Sequence, residues 1–276
     1  MVTSINTNTS ALQALQNLKT TSQELEETNN RISSGLKVRK AEDNGAVFSA
    51  ARGQRLEAEG LQAIMRGLDR GISTVSTALS AGESVSDLLI EMKERALAAS
   101  EPTITGEQRA SLNNEFENLR DQIATIVKNA GFQGTNMLEA GNPLRIMTDP
   151  DATSTVDIPH EDLRLSGSTI AFDGTTTLGT TAAESASVLA QVESSIANVN
   201  AALSRLSAGV NALETHKTFA NKLSDTIEIG IGNMVDADMA KESAKLQALQ
   251  VKQQLGTEAL SIANRTPQTI LSLLQG

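Results

Sequence analysis

Apolar residues recur in steps of three and four at both ends of the chain. Near the start, Ile5, Leu12, Leu15, Leu18, Leu25, Ile32 and Leu36 form one stripe, several members seven apart, which predicts an amphipathic helix ending near Ser33-Ser34-Gly35. Near the other end the same steps carry Leu246, Leu249, Gln253, Gly256, Leu260, Ala263, Pro267, Ile270 and Leu274, a mostly apolar and small stripe. Three further helices are predicted between them. Leu61, Met65, Leu68, Ile72, Val75 and Leu79 open one that runs to Ser100 and is stopped by Pro102. Leu112, Phe116, Leu119, Ile123, Ile126 and Ala130 mark a second, stopped by Gly131. The third holds its stripe from Leu189 through Val199, Leu206, Leu213, Ala220 and Ile227 to Met234, which at 1.5 Å per residue makes a helix of about 70 Å.

Residues 131–182 change character. Gly, Thr and Pro multiply, and short alternations such as Leu163-Arg164-Leu165 and Thr169-Ile170-Ala171-Phe172 predict short strands and hairpins. The expected fold is mainly α: an elongated antiparallel helical bundle, or coiled-coil rod, with a small β-hairpin region at mid-chain. A mid-chain insert of this kind returns both termini to one end, so the terminal stripes are expected side by side. The domain division expected is 1–43 with 236–276 as a discontinuous terminal-helix domain, and 44–235 as a second helical domain containing the β-rich segment. A stripe on each terminal helix needs cover. Pairing with each other would bury one face and neighbouring copies would bury the rest, so self-assembly is the first functional hypothesis.

Composition narrows the alternatives. The chain has 276 residues, of which 39% are hydrophobic, enough for a real core, yet it has five Phe and no Tyr or Trp. Ligand pockets and base-stacking surfaces lean on aromatics, and a formal net charge of -10 opposes a phosphate backbone, so nucleic acid is excluded as a partner. With no Cys, disulfides and thiolate chemistry are excluded. No apolar run approaches a membrane span, and the first residues lack a charged region followed by an apolar one, so an extracellular destination would require a route without a cleaved signal peptide.

Candidate chemistry is sparse. His160 and His216 are the sole histidines, too few for a His-based metal site or triad. His160-Glu161-Asp162 with Asp149, Asp151 and Asp157 has acidic density but not EF-hand spacing, so a solvated loop is the better reading. Gly230-Ile231-Gly232-Asn233 begins like a dinucleotide fingerprint, but lacks the third Gly and a preceding strand, and reads as a flexible joint. No constellation carries catalysis or holds a cofactor or metal.

Several segments do carry a family resemblance. They are Ile5-Asn6-Thr7-Asn8, RISSGLKVRKAEDNGA (31–46), GISTVSTALSAGESVSDLLIEMKERALAAS (71–100), GFQGTNML (131–138) and the block from Met234 to Gly276 ending Ile270-Leu271-Ser272-Leu273-Leu274. Through them the chain resembles bacterial flagellins, specifically the short alphaproteobacterial form without large outer variable domains. The resemblance implies a structural subunit of the extracellular filament used for motility. Its terminal helices would form an inner tube and order on assembly, through Ile5, Leu12, Leu15, Leu18, Leu25, Ile32, Leu246, Leu249, Leu260, Ala263, Ile270 and Leu274. Implied partners are further copies of the chain, alone or with sister flagellins, an export chaperone, the flagellar type III export apparatus, a filament cap and a hook–filament junction protein, with no membrane. The family's innate-receptor surface matches LLIEMKERALA (88–98), where Glu91 and Arg95 stand at positions that look like Arg and Leu in stimulating flagellins, whereas Glu115 matches the family's acidic contact. Weak receptor activation is expected.

Overall fold

The computed structural model describes residues 7–274, with side chains to residue 265. Five helices appear in the order α1 (Thr9–Ser34), α2 (Gly45–Ala99), α3 (Gly106–Asn129), α4 (Ala182–Val235) and α5 (Met239–Leu274). Between α3 and α4 lie two antiparallel hairpins, β1 (Gly131–Phe132) with β2 (Thr135–Asn136), and β3 (Leu144–Met147) with β4 (Thr155–Ile158). The chain is thus mainly helical with a small β region at mid-chain. It divides into two compact units, residues 1–56 with 226–276, and residues 57–225.

In the unit of residues 57–225, α2 and α4 run antiparallel. Lys217 pairs with Asp69 at 2.5 Å, Ser86 donates to Asn200 at 3.5 Å and Lys93 pairs with Glu193 at 2.9 Å, so partner numbers fall on α4 as they rise on α2. Leu68, Val75, Val85, Leu89 and Met92 of α2 are buried against Val192, Val199, Leu206 and Leu213 of α4 and Phe116, Ile123 and Val127 of α3. This is one core built from stripes of three- and four-residue steps. Glycine permits the β3–β4 hairpin to seat on α2: a Cβ on Gly71 would fall 2.0 Å from Ile146 Cδ1. The β1–β2 turn has Gln133 at φ 49° and Gly134 at φ 84°, the two positive angles of a tight hairpin turn.

Start and stop signals explain the helix ends. Asn44 precedes α2 and its Oδ1 accepts from Val47 N at 3.1 Å. Thr105 and Gln108 form a capping box at α3. The helix α2 starts some sixteen residues before the apolar stripe that signals it, because residues 45–60 are mostly exposed and rich in Gly and Ala, and so reveal no periodicity.

Two sequence expectations are corrected. The alternations at 163–165 and 169–172 are not strands. Leu163, Ile170 and Phe172 are buried as expected of inward positions, but no neighbouring strand pairs with them. Their backbone is satisfied piecemeal: Leu163 N donates to Leu138 O (3.0 Å), Ala171 N to Ser195 Oγ (2.9 Å), and Asn198 Nδ2 donates to Thr169 O (3.1 Å). The supposed joint at Gly230–Asn233 is helical, lying in the last turns of α4. A Cβ on Gly232 would meet Asp236 Oδ2 at 2.8 Å, so that glycine makes room for the turn that follows.

Arginines hold the irregular segment to the helices. Arg109, almost fully buried, donates to Ala99 O (2.9 Å), Glu101 O (3.1 Å) and Thr180 O (3.1 Å), and Arg120 donates to Thr176 O (2.9 Å). Carboxylates in the same segment cap backbone N–H groups. Asp173 lies below its ordinary pKa because Thr175 donates to it, and Glu184 because Thr180 N–H and Thr181 do. A depressed folded pKa gives stability that is present above the unfolded value and is lost as pH falls through the folded one. The thermal midpoint, followed by circular dichroism, should therefore fall as pH drops below about 4, and the double variant Asp173→Asn, Glu184→Gln should show a flatter acid limb. An unchanged acid limb would mean that these carboxylates are not linked to folding.

Candidate functional site: the paired terminal helices

In the unit of residues 1–56 and 226–276, α1 and α5 pack antiparallel. Asn8 Nδ2 donates to Ala263 O at 2.8 Å, Gly256 faces Leu18, and Arg31 Nη1 meets Glu242 Oε1 at 3.2 Å. Rising positions on α1 thus meet falling positions on α5 throughout. The register is set where the helices leave the loops. Gly35, at φ 72°, ends α1 by donating to Arg31 O (2.8 Å), and its own carbonyl accepts from Ala237 N (2.8 Å). Leu36 bridges Asp236, and Lys37 N donates to Val235 O at 2.7 Å. Asp238 then starts α5 by accepting from Ala240 N and Lys241 N, each at 3.1 Å. The last turn of α1 and the first of α5 are thereby tied to one short turn.

The seam itself is part apolar and part polar. Leu249 is buried, while Leu18, Leu25, Ile32, Leu246, Leu260 and Ala263 are half-buried. At Gly256 the helices come close: a Cβ there would stand 3.2 Å from Leu18 Cδ1 and 4.0 Å from its Cα. Thr28 is fully buried and Glu242 nearly so, and Thr28 Oγ1 and Glu242 Oε2 have no hydrogen-bond partner. The half-buried Arg31–Glu242 pair adds little net stability but disfavours other registers, since sliding α5 by a turn would leave Glu242 buried without its cation.

Leu12 and Leu15 behave differently from the rest of the predicted stripe. They are 61% and 54% exposed and line an open groove with Thr7, Ala11, Leu260 and Asn264. Ile5 lies outside the described residues, as do the side chains of Ile270 and Leu274. The sequence also holds a second stripe on α5 that the first one masked: Ala244, Ala248, Val251, Leu255, Ala259 and Ile262, again in steps of three and four, all exposed. Val251 is 55% and Leu255 59% exposed, so α5 covers one apolar face with α1 and leaves another open. Burying each such side chain would contribute about 1.5–3 kcal/mol.

The other sequence candidates are engaged locally. Glu161 takes a bidentate pair with Arg205 (2.7 and 2.6 Å), Asp162 pairs with Arg164, Asp157 with Arg145, and Asp149 caps Thr153 and Ser154. His160 Nδ1 lies 3.0 Å from Glu139 O. Among the described residues no group of His or acidic side chains could hold a metal ion, and no helix is long and apolar enough to cross a membrane. Arg95, on α2, pairs with Glu115 of α3 at 2.7 Å, while Glu91 is exposed.

Comparison with known proteins bears directly on this geometry. Two family models match, the bacterial flagellin N-terminal helical region over residues 5–142 and the C-terminal helical region over residues 189–274. Flagellin FljO of Caulobacter vibrioides is 41% identical over 273 residues, spanning 99% of this chain and 98% of the relative. A flagellin of Brucella melitensis is 34% identical over 293 residues, spanning 99% of both. Among solved structures, a Vibrio parahaemolyticus protein described as flagellar hook-associated superposes with a TM-score of 0.58 at 14% identity, covering 70% of this chain and all of that one, a likeness of fold.

The close approach at Gly256 yields a measurable consequence. Gly256→Leu should overpack the seam and cost about 1–3 kcal/mol of α1–α5 pairing, read as a lower urea midpoint for the terminal helices by circular dichroism. An unchanged midpoint would mean that the two helices do not depend on close contact there.

Proposed function

The chain belongs to the bacterial flagellin family and is a structural subunit of the extracellular flagellar filament, rather than an enzyme; from that premise we propose that its paired terminal helices are the polymerisation surface. The inner-core residues are Ile5, Leu12, Leu15, Leu18, Leu25 and Ile32 of the first segment with Leu246, Leu249, Leu260, Ala263, Ile270 and Leu274 of the second. Residues 1–43 and 236–276 form the inner-core domain and 44–235 the outer one. The observation that carries this reading is the second apolar stripe of α5, with Val251 and Leu255 more than half exposed beside a seam already covered by α1. An apolar face of this kind is covered by further copies of the same pair.

The same stripe supports ordering on assembly. An isolated helix pair with one face uncovered gains too little burial to offset the ordering of some sixty residues, whereas packing between copies supplies the remainder. A chain without disulfides can be passed unfolded through the flagellar export apparatus, with a chaperone holding its C-terminal segment, and refold under the filament cap beyond the hook–filament junction proteins. Sister flagellins with the same terminal stripes would enter the same lattice.

Seeding purified full-length protein with short filament fragments should give long filaments by negative-stain electron microscopy, and chains lacking residues 1–40 or 237–276 should give none. Leu255→Asp should likewise stop growth while leaving the helices of residues 57–225 intact by circular dichroism. Filaments from either truncation would refute the polymerisation surface.

A second reading concerns the innate receptor. Arg95 is tied to Glu115 across α2 and α3, so the acidic contact that the family presents is here neutralised within the subunit, and Glu91 adds a charge of the opposite sign to the Arg expected there. Reporter cells bearing the vertebrate flagellin receptor should respond weakly to the monomer, and Arg95→Leu should raise the response by releasing Glu115. Full potency of the unmodified chain would refute it.

A further inference from the structure

The loop from α1 runs into α2 through Asn44-Gly45, the one place in the chain where glycine follows asparagine. Both residues are exposed. Asn44 precedes the helix, its Oδ1 accepting from Val47 N at 3.1 Å and its backbone oxygen from Phe48 N at 2.9 Å. Among the described residues the Gly45 N–H has no acceptor, as is usual for the first donors of a helix. Glycine itself serves no structural need here. Its φ is not positive, and a Cβ would meet nothing within 4 Å. Alanine would form the helix better. What glycine does provide is a backbone nitrogen uncrowded by a Cβ, adjacent to a solvent-exposed carboxamide.

We propose that Asn44-Gly45 is a self-modifying site, at which the Gly45 nitrogen attacks Asn44 Cγ in the folded chain and converts the asparagine to aspartate and isoaspartate. The Gly45 nitrogen gives its proton to solvent and bonds to Cγ. The bond from Cγ to Nδ2 breaks and the nitrogen leaves as ammonia, closing a five-membered imide. Water then opens the imide. Addition at Cγ gives aspartate, and addition at the backbone carbonyl gives isoaspartate; nothing is oxidised or reduced. The helix start assists the first step, because negative charge develops on Oδ1, where Val47 N–H already donates. Asp173-Gly174 offers the same uncrowded nitrogen but the wrong electrophile. Its carboxylate accepts from Thr175 N (2.8 Å), Thr175 Oγ1 (2.7 Å) and Thr176 Oγ1 (3.0 Å), which keep it ionised and resistant to attack. The two products at position 44 differ in effect. Aspartate keeps the acceptor for Val47 and puts a charge at the start of α2, whose first turn has no acid, a favourable place for an anion. Isoaspartate lengthens the backbone by one atom and displaces the cap. Age would thus divide the chains into those with a firmer and those with a looser start to α2. The inference stands apart from the polymerisation reading, since filament growth does not enter its test.

Incubating the purified full chain at mildly alkaline pH and body temperature for several weeks tests the proposal, with a sample digested at the outset as the blank. The tryptic peptide spanning residues 41–52 should show the exchange of NH for O at Asn44, as two products separable by chromatography, with isoaspartate in excess. The rate should rise with pH, because the attacking nitrogen must lose its proton. Isoaspartyl methyltransferase should label the aged chain and not the fresh one. On anion exchange the aged protein should resolve into the parent and a later species that elutes with Asn44→Asp. Gly45→Ala, which the open space at that position accommodates, should lose the conversion while circular dichroism shows the helices intact. Equal conversion in Gly45→Ala overturns the proposal, as does conversion at other asparagines as fast as at Asn44. So does a folded chain that stays unmodified while the same chain in urea converts, since the helix start would then be protecting the asparagine.

Discussion

An amphipathic helix with one apolar stripe is satisfied by one neighbour, and α5 has two stripes. One, through Leu246, Leu249, Gly256, Leu260 and Ala263, faces α1; the other, through Val251 and Leu255, faces outward. Everything particular about the terminal unit follows from this. The close approach at Gly256 lets α1 cover the first stripe with a narrow seam, so the helix pair remains slim and its other face stays available. A bulkier residue at that position would push Leu18 aside and widen the seam. The turn joining Gly35, Ala237 and Asp238 fixes which residues meet, and the Arg31–Glu242 pair penalises the alternatives.

The unit of residues 57–225 solves a different problem. Its helices bury a continuous core, but the 52 residues between α3 and α4 hold only eight residues of the larger hairpin and four of the smaller in ladders. The rest is fastened by side chains that reach backbone atoms. Arg109 and Arg120 supply donors to carbonyls, Asn113 Oδ1 accepts from Leu178 N at 2.7 Å, and Ser185 Oγ donates to Leu178 O at 2.8 Å. Guanidinium groups suit this task because their several fixed donors can satisfy carbonyls that no strand partner reaches. The price in charge burial is limited by leaving one edge of Arg120 beside Asp121.

Legibility in the sequence followed the range of the signal. Long helices announced themselves because a stripe of six or more positions averages out local exceptions, and their stops at Gly35, Pro102 and Gly131 are single-residue effects. The helical start of α2 was hidden because residues 45–60 bury little and so impose no period. Ile170 and Phe172 are buried on either side of exposed Ala171, yet alternation reports burial of every second side chain and says nothing of a neighbouring strand; Ser195 and Asn198 do the bonding that a strand would have done. In the candidate site, the first α5 stripe was readable, but the second was not, since both satisfy the same steps and only the position of α1 tells which is covered. Arg31–Glu242 and Arg95–Glu115 were illegible for the plainer reason that their partners are far apart in sequence.

The two classes of surface differ in what they can accomplish. The α5 stripe is long, apolar and nearly without charge, so it yields affinity in proportion to area but tolerates sliding by one turn, because similar side chains recur every three or four residues. A polymer built on such a surface alone would be tight and poorly registered. Charged positions have the opposite character: exposed pairs add little free energy, yet each misplacement sets like signs together or leaves a charge uncompensated, so they discriminate among registers that the apolar stripe treats as nearly equal. A lattice of identical copies needs both, and they need not lie at one place. Affinity concentrated in an apolar stripe and register imposed by charged positions would let a subunit first be captured and then be corrected, since a weak charged contact can break and re-form while the apolar one holds.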